Sequence, residues 1–321
     1  MKREILRIRD LRVHYEIRRG VIKAVDRFSL SLCAGERFGL VGESGSGKST
    51  MVLALLRMIK PPGRIVGGEV TLDGIHVMAL SEEAMRNIRL ARMSLVPQGA
   101  MNALNPVMRV ADQIMAAIKA HREEDSREEM EARVVELLEW VGLKKSVASL
   151  YPHELSGGMK QRVCIAMAIS LRPQLIIADE PTSALDVVVQ RQIMHTLRAV
   201  QERLSASVLL VGHDMGLMAQ FVDRIGVMYG GRLVEVGSVG DIFKKPLHPY
   251  TQLLISSIPS FERKGDFRGI PGQPVSLLNP PTGCLFHPRC PRVMDRCSSV
   301  VPQPIEVRPG QSVACLLYAT S

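Results

Sequence analysis

The chain has 321 residues, enough for one large domain or two smaller ones, and 46% of them are hydrophobic, enough for a packed core. Only 4% are aromatic, so aliphatic side chains and 17 methionines must fill that core. The net charge of +9, from 41 Lys and Arg against 32 Asp and Glu, suits an anionic membrane face or nucleic acid and does not choose between them.

The first eighty residues are predicted to be rich in β-strands. Charged and aliphatic residues alternate over 1–10, as in a strand with one buried face, and turn signals follow at Gly20, Gly35 and Gly74. The same segment lacks the apolar stretch and the cleavage site of a secretion signal. Nowhere does the sequence contain the run of about 18 uncharged apolar residues that a transmembrane helix requires. We therefore expect a cytosolic protein that reaches a membrane only through a partner.

Residues 42–50 form the most specific motif of the sequence. They fit the phosphate-binding pattern G-x-x-x-x-G-K-[ST], between a short apolar strand at 37–41 and a helical stretch at 51–56. Glycines allow backbone N–H groups to approach phosphate oxygens, and the following helix N-terminus favours an anion. The pattern predicts that Lys48 contacts the β- and γ-phosphates of a nucleoside triphosphate and that Ser49 ligates Mg²⁺. The predicted nucleotide-binding residues of this loop are Gly42, Glu43, Ser44, Gly45, Ser46, Gly47, Lys48, Ser49 and Thr50.

A largely helical region is predicted to begin at Ser81, which has the character of a helix N-cap, and to extend to about residue 170. Two short apolar runs, 175–178 and 207–211, then flank a helical stretch at 186–204. This alternation of strand and helix is typical of a buried parallel sheet.

Two carboxylates, Asp179 and Glu180, follow the first of these apolar runs. At the C-terminal edge of a parallel sheet, Asp179 can hold Mg²⁺ and Glu180 can polarise the water that attacks the γ-phosphorus. Paired acids also end many strands in solvent, so this interpretation depends on the phosphate loop upstream.

A second anion-binding helix start is predicted within residues 155–162. Its Ser-Gly-Gly sequence offers backbone N–H groups and a hydroxyl ahead of a helix from about Met159, although an ordinary capped helix would look the same. With the phosphate loop and the two carboxylates, this segment resembles the signature segment of ATP-binding-cassette ATPases. In that family it closes over the γ-phosphate held by a second subunit, which implies a head-to-tail dimer with ATP at the interface. The signature residues here are Leu155, Ser156, Gly157, Gly158 and Met159, the last in place of the commoner Gln.

Further positions match the same family in chain order. Tyr15 resembles the aromatic residue that stacks on adenine, although tyrosine also suits a half-buried strand. Gln98 resembles the glutamine that reaches Mg²⁺ and the attacking water, and His213 resembles the histidine that contacts the γ-phosphate. The loop that signals between the two sites is matched by Ser183, Ala184, Leu185 and Asp186. The resemblance thus implies catalytic roles for Glu180, His213 and Gln98, and Mg²⁺ ligation by Ser49, Gln98 and Asp179.

This resemblance covers about residues 4–258 and implies the fold class. We expect an α/β P-loop NTPase, in which an ABC ATPase domain at 1–258 has an N-terminal antiparallel β-subdomain and a helical subdomain at about 81–170. A C-terminal extension at 259–321 contains the cysteines. The implied mechanism is ATP-driven closure of the dimer, followed by hydrolysis that reopens it.

Three segments, 102–106, 248–254 and 283–291, resemble the oligopeptide/dipeptide and nickel importers within this family. The signature segment with Met159 resembles the subunit called D, which pairs with a second, non-identical ATPase. The implied partners are that ATPase, two transmembrane permease subunits at the cytoplasmic face of the cell membrane and, indirectly, a substrate-binding protein. Import of nickel or another solute is the alternative function. A soluble ATPase that acts on nucleic acid is a more distant alternative. A stand-alone nucleotide switch is a third possibility, and segment 98–106, which resembles a segment that couples to membrane partners, argues against it.

The six cysteines are unevenly distributed, since Cys284, Cys290, Cys297 and Cys315 lie together near the C-terminus. In a reducing cytosol this clustering favours a metal site over disulfides. Four thiolates suit a [4Fe–4S] cluster or a tetrahedral Zn²⁺ equally well, and a tail with unligated thiols is a third possibility. The family resemblance favours the [4Fe–4S] cluster. The other two, Cys33 and Cys164, lie in apolar patterns and are predicted to be buried.

Overall fold

The structure is a computed structural model that describes residues 3–99, 103–122, 124–258 and 269–319. The chain forms two compact units. Unit 1 comprises Met1–Ile5, Leu32–Glu36 and Ala79–Leu210, and unit 2 comprises Leu6–Ser31, Arg37–Met78 and Val211–Ser321. Residue 102 of the subfamily segment 102–106 and the first part of the predicted extension, 259–268, lie outside the described residues.

Most of an antiparallel sheet lies in unit 2, as the alternating N-terminal sequence predicts. Leu6 lies opposite Leu72, and Ile8 opposite Val70, and all four side chains are buried. Alternation therefore places one apolar face of the sheet in the core, which stabilises this pairing and its register. The strands, in spatial order, are β2 (Gly20–Cys33), β1 (Glu4–Ile17), β4 (Gly63–Leu72) and β5 (Ile75–His76).

Other strands of unit 2 support the phosphate loop. β3 (Arg37–Val41), which precedes the loop, runs parallel to β9 (Arg224–Tyr229). β9 pairs with the antiparallel β10 (Arg232–Ser238), β10 pairs with β12 (Gln311–Val313), and β12 pairs with β11 (Ile305–Arg308). The sequence beyond residue 257 lacks periodicity and predicts no strand, so this pair of C-terminal strands is an addition to the predicted fold.

Parallel strands of unit 1 confirm the two apolar runs as buried strands. β6 (Met93–Val96) pairs with β7 (Leu175–Asp179) in parallel, and β7 lies between β6 and β8 (Ser207–Gly212). The last two residues of β8 belong to unit 2. Every residue of β7 and β8 is buried, as expected for strands covered on both faces.

Polar side chains cap several of the helices. Ser81 caps the helix that follows it, because its hydroxyl accepts a hydrogen bond from the Ala84 N–H at 3.1 Å, which confirms the predicted helix start. Within the described ranges, no helix has the length and apolar character needed to cross a bilayer. The helices of unit 1 are α2 (Glu82–Ile88), α3 (Val110–Lys119), α4 (Arg127–Trp140), α5 (Gly157–Ala168) and α6 (Val187–Leu204), and those of unit 2 are α1 (Lys48–Leu55), α7 (Met215–Phe221), α8 (Val239–Lys244) and α9 (Pro249–Ser256).

Candidate active site

The phosphate loop lies in unit 2, between the end of β3 at Val41 and the start of α1 at Lys48. Gly47 is the N-cap of α1 and has a left-handed backbone, with φ 101°. Its lack of a side chain means that no side-chain hydrogen bond caps this helix. The first turn of a helix presents unpaired N–H groups at the positive end of the helix dipole. This helix start is therefore suited to being capped by a phosphate group.

Two glycines of the loop lie where no larger residue fits. A Cβ atom on Gly47 would lie 2.1 Å from the carbonyl oxygen of Ala24, and one on Gly42 would lie 2.2 Å from that of Met228. Both obstacles are backbone atoms, which cannot move aside as a flexible side chain can. The close packing of the loop against neighbouring backbone therefore requires glycine at both positions.

The Lys48 side chain is buried, with 5% of the residue exposed, and lies within the loop. Its ammonium group donates hydrogen bonds to the carbonyl oxygens of Gly42 and Glu43, at 2.8 and 3.0 Å, and contacts the Ser46 hydroxyl at 3.4 Å. These acceptors hold a full positive charge beside the N-terminus of α1. A triphosphate in this loop would meet both an ammonium group and a helix dipole.

Unit 1 contains the two predicted carboxylates and the predicted glutamine. Asp179 is the last residue of β7 and is 7% exposed. Glu180 follows in a left-handed conformation, with φ 45°, which is uncommon for a residue with a side chain and typical of functional sites. The Gln98 side-chain amide donates a hydrogen bond to the Glu180 carboxylate at 3.0 Å. This contact brings together two residues that are 82 positions apart and fixes the direction of a carboxylate that could act on water.

The predicted inter-subunit loop, residues 183–186, is hydrogen-bonded to Glu180. The Ser183 N–H donates to the Glu180 carbonyl oxygen at 3.1 Å. Asp186 then caps α6, and its carboxylate accepts hydrogen bonds from the N–H groups of Val188 and Val189, each at 3.0 Å. Glu180 is thus tied to the start of α6 by a short, hydrogen-bonded loop.

The signature segment forms the start of α5, also in unit 1. The helix begins at Gly157, two residues before the predicted start, and the Ser156 hydroxyl accepts a hydrogen bond from the Met159 N–H at 3.3 Å. A Cβ atom on Gly158 would lie 2.7 Å from the Val189 side chain, so a larger residue would push α6 away. Leu155 is buried and anchors the segment from the preceding turn.

His213 and Tyr15, both in unit 2, occupy the predicted kinds of position. His213 is exposed directly after β8, and the next residue, Asp214, caps α7 by accepting a hydrogen bond from the Leu217 N–H at 2.9 Å. Tyr15 is half-buried near the end of β1 and lies opposite Gly63. The roles of these two residues toward nucleotide stay predictions.

The four C-terminal cysteines lie near one another, but their side chains are not arranged around a common metal position. The Cys284 N–H donates to the Cys297 carbonyl oxygen at 2.9 Å. Burial, and then the neighbouring thiols, raise the pKa of Cys284 to about 11 and also raise those of Cys290 and Cys315. Across the described ranges, no group of three or more Cys, His, Asp or Glu side chains is placed to hold a metal ion. The predicted cluster on Cys284, Cys290, Cys297 and Cys315 therefore finds no support in this arrangement.

The remaining two cysteines differ in burial. Cys164 is buried as predicted, and burial raises the pKa of its thiol to about 12. Cys33, however, is only half-buried, because it lies at the end of β2.

One contact to the phosphate loop has no counterpart in the predictions. The Glu43 carboxylate forms an ion pair with Arg289, 246 positions further along the chain, at 2.7 and 3.0 Å. The segment 283–291 is recognisable in the sequence, but nothing in a single sequence relates its arginine to the loop. Only correlated substitutions at positions 43 and 289 among related sequences could have predicted this ion pair.

Two family profiles match the sequence. The profile described as ABC transporter matches residues 25–183, and the profile described as oligopeptide/dipeptide transporter, C-terminal region, matches residues 234–297.

Similar proteins extend over nearly the whole chain. The dipeptide transport ATP-binding protein DppD of Caldanaerobacter subterraneus subsp. tengcongensis is 43% identical over 316 residues, which cover 98% of this chain and 97% of the relative. The oligopeptide transport ATP-binding protein OppD of Escherichia coli (strain K12) is 41% identical over 314 residues, which cover 97% of this chain and 92% of the relative.

Solved structures confirm the predicted fold class. The dimeric post-hydrolysis state of the ATP-binding cassette MJ0796, bound to ADP and Pi, matches with a TM-score of 0.66 and 30% identity. That match covers 73% of this chain and 99% of the other. The mixed α/β fold with its antiparallel subdomain is therefore that of the cassette ATPases.

Proposed function

Because the chain belongs to the ATP-binding-cassette family of transporter ATPases, we propose that it hydrolyses ATP to energise the import of di- or oligopeptides. Lys48, buried within a glycine-rich loop at the N-terminus of α1, is the observation that carries the nucleotide part of this proposal. The transport part is supported by the names of the relatives and by the profile that matches residues 234–297. Import of nickel or another solute is the alternative within the same family.

The proposed mechanism assigns a separate task to each predicted residue. The loop N–H groups and Lys48 bind the triphosphate, Tyr15 stacks on adenine and His213 contacts the γ-phosphate. Glu180 orients and polarises the attacking water, while the Gln98 amide holds its carboxylate in place.

Mg²⁺ is the expected metal at the nucleotide, and its proposed ligands are Ser49, Gln98 and Asp179. A hydroxyl, an amide oxygen and a carboxylate are the oxygen donors that this ion prefers. The Asp179 carboxylate at the end of β7 fits such a site, because it supplies an oxygen donor at the C-terminal edge of a parallel sheet. When bound, Mg²⁺ would neutralise negative charge on the phosphate oxygens.

We also propose that the active form is a dimer with a second, non-identical ATPase subunit. Residues 155–159 would contact ATP held by the partner subunit, and residues 183–186 would connect the two sites. Both segments are helix starts, and the matching ATP-binding cassette named above is itself dimeric. Two permease subunits would hold the pair at the cytoplasmic face of the membrane. The proposed division of the chain is an ATPase domain at 1–258 and an extension at 259–321.

We expect peptide-loaded binding protein to accelerate ATP hydrolysis by the assembled complex of this chain, its second ATPase, two permeases and the binding protein. The measurement is phosphate release from vesicles reconstituted with that complex, with and without peptide. A matched complex carrying Glu180→Gln controls for contaminating ATPases. Acceleration by Ni²⁺ and not by peptide would favour the alternative, and salt-sensitive acceleration by DNA would contradict both.

A [4Fe–4S] cluster on the four C-terminal cysteines is a separate proposal, and Zn²⁺ is its alternative. It is supported by the grouping of the four thiols, since burial and then neighbouring cysteines raise the pKa values of Cys284, Cys290 and Cys315. Binding would require these side chains to come closer together and to lose their protons.

Anaerobic purification is expected to yield about four iron atoms and as many acid-labile sulfides per chain. Cys290→Ser is expected to lower both contents, because it removes one ligand, whereas Cys164→Ser, which replaces a buried cysteine in α5, is the matched control. Elemental analysis and the absorption spectrum provide the measurement. About one zinc per chain would favour the alternative, and metal-free protein would overturn both.

A further inference from the structure

We propose that Arg289 is a positioning residue, which holds the phosphate loop in its ATP-binding conformation through Glu43. The C-terminal extension would then set the affinity of the subunit for ATP. This inference deepens the proposed function and rests on it, because it assumes that the loop binds ATP.

The hydrogen bonds of Arg289 engage every donor of its guanidinium group. The two terminal nitrogens bind the Glu43 carboxylate, with Nη1 at 2.7 Å from Oε2 and Nη2 at 3.0 Å from Oε1. Nε donates to the Pro271 carbonyl oxygen at 2.7 Å, Nη2 to that of Ile270 at 3.2 Å, and Nη1 to the Tyr229 hydroxyl at 3.4 Å. Five acceptors thus match the five N–H donors of the group. Its orientation is fixed from both sides, and lysine could not reproduce the planar fork.

Glu43 is held through its main chain as well as its side chain. Its N–H donates a hydrogen bond to the Tyr250 hydroxyl at 2.9 Å. Its carbonyl oxygen accepts from Nζ of Lys48 at 3.0 Å and from the Ser46 N–H at 3.2 Å. Glu43 therefore binds Arg289 through its carboxylate and also binds, through its carbonyl oxygen, the Lys48 ammonium group that we expect to contact phosphate. A shift of the Glu43 backbone would move an acceptor of Lys48 directly.

Three aromatic rings pack together beside this ion pair. The rings of Tyr229, Tyr250 and Phe286 pack with centroids 4.6 to 5.3 Å apart, which is the range of favourable aromatic pairs. The Arg289 guanidinium lies 5.9 Å from the Tyr229 ring centroid and 6.0 Å from that of Phe286. Phe286 is buried and comes from the extension, and Tyr250 comes from α9. The extension therefore reaches the loop through packed side chains and not through a single exposed contact.

The ion pair between Arg289 and Glu43 is largely buried. The Arg289 side chain is 5% exposed and that of Glu43 is 23% exposed. Loss of one partner from a buried pair leaves the other charge without its counterion. The Glu43 carboxylate would then turn toward water and draw the adjoining loop backbone out of position. We expect this to weaken ATP binding even where the chain stays folded.

The test compares Arg289→Ala with Arg292→Ala, an exposed arginine of the same extension. MgATP binding is measured on the purified full-length chain by equilibrium titration, together with the thermal unfolding midpoint. In the assembled complex, KM for ATP and kcat are measured separately. We expect Arg289→Ala to raise Kd about tenfold, equivalent to about 1.4 kcal/mol, and to raise KM more than it lowers kcat. Arg292→Ala should leave both constants unchanged.

Two further variants show whether the effect passes through Glu43. Arg289→Lys retains the charge and most of the volume, so it folds more readily than the alanine variant, and its Kd should lie between those of wild type and Arg289→Ala. Glu43→Gln added to Arg289→Ala should raise Kd little further, because the two residues act as one pair.

Wild-type Kd in Arg289→Ala and Arg289→Lys, with only a lower unfolding midpoint, would overturn the inference and leave the proposed function intact. Additive effects of Glu43→Gln and Arg289→Ala would likewise overturn it. Failure of the wild-type chain to bind MgATP would instead overturn the proposed function.

Discussion

Lys48→Ala is expected to abolish useful ATP binding, with Kd for MgATP raised by at least about 100-fold, or about 3 kcal/mol. The substitution removes the only ammonium group that the sequence motif aims at the β- and γ-phosphates, while the glycines and the helix N-terminus remain. Charge-assisted hydrogen bonds to phosphate are among the strongest in proteins, so the remaining N–H groups cannot compensate. Equilibrium titration with a fluorescent ATP analogue measures the change.

Lys244→Ala, at the exposed end of α8 in the same unit, is the matched control and should bind ATP normally. Because Lys48 is buried, its removal also leaves a small cavity, so the unfolding midpoint of both variants must be compared. ATP binding within about threefold of wild type in a folded Lys48→Ala chain, less than about 0.7 kcal/mol, would refute the assignment of the phosphate loop.

Glu180→Gln is expected to retain ATP binding and to lower steady-state hydrolysis in the assembled complex by about 100-fold or more, as removal of a general base does. The amide keeps the size of the side chain but cannot take a proton from water. The contact with Gln98 can persist, because the amide oxygen of glutamine still accepts from the Gln98 amide. Kd for MgATP and the rate of phosphate release are measured on the same preparation.

Glu202→Gln, on the exposed face of α6, provides the control for a charge change in unit 1. It should hydrolyse ATP at the wild-type rate. Wild-type hydrolysis by a complex that carries Glu180→Gln would remove Glu180 from the catalytic step, and loss of ATP binding would show that it has a structural role instead.

Local sequence patterns predicted the elements that hold the nucleotide motifs. The apolar runs at 175–178 and 207–211 are buried strands, and Ser81 caps a helix, because each of these features depends on neighbours in the sequence. The family resemblance is confirmed by relatives that match nearly the full chain. Local patterns and the family resemblance therefore predicted the fold, and they predicted whether each motif lies on a strand, a loop or a helix.

Contacts between distant segments were not predictable in this way. Strands β11 and β12 are only four and three residues long, too short for a clear sequence signal, and they form strands by pairing with each other and, through β12, with β10. The Arg289–Glu43 pair depends on the folding of a Pro-rich segment onto the phosphate loop. For the four C-terminal cysteines, spacing in the sequence predicts a metal site that the arrangement of the described side chains does not support, so the cluster stays a proposal.

The two C-terminal strands also affect how the subunit behaves among other proteins. Without them, β10 would offer a row of unpaired N–H and C=O groups along a strand whose Val234 and Val236 are apolar. Such an open edge invites pairing with strands of other chains. The new outer strand, β11, is short and carries the exposed, oppositely charged Glu306 and Arg308, which discourage further addition. The extension thus covers a sheet edge at which strands of other chains could otherwise add.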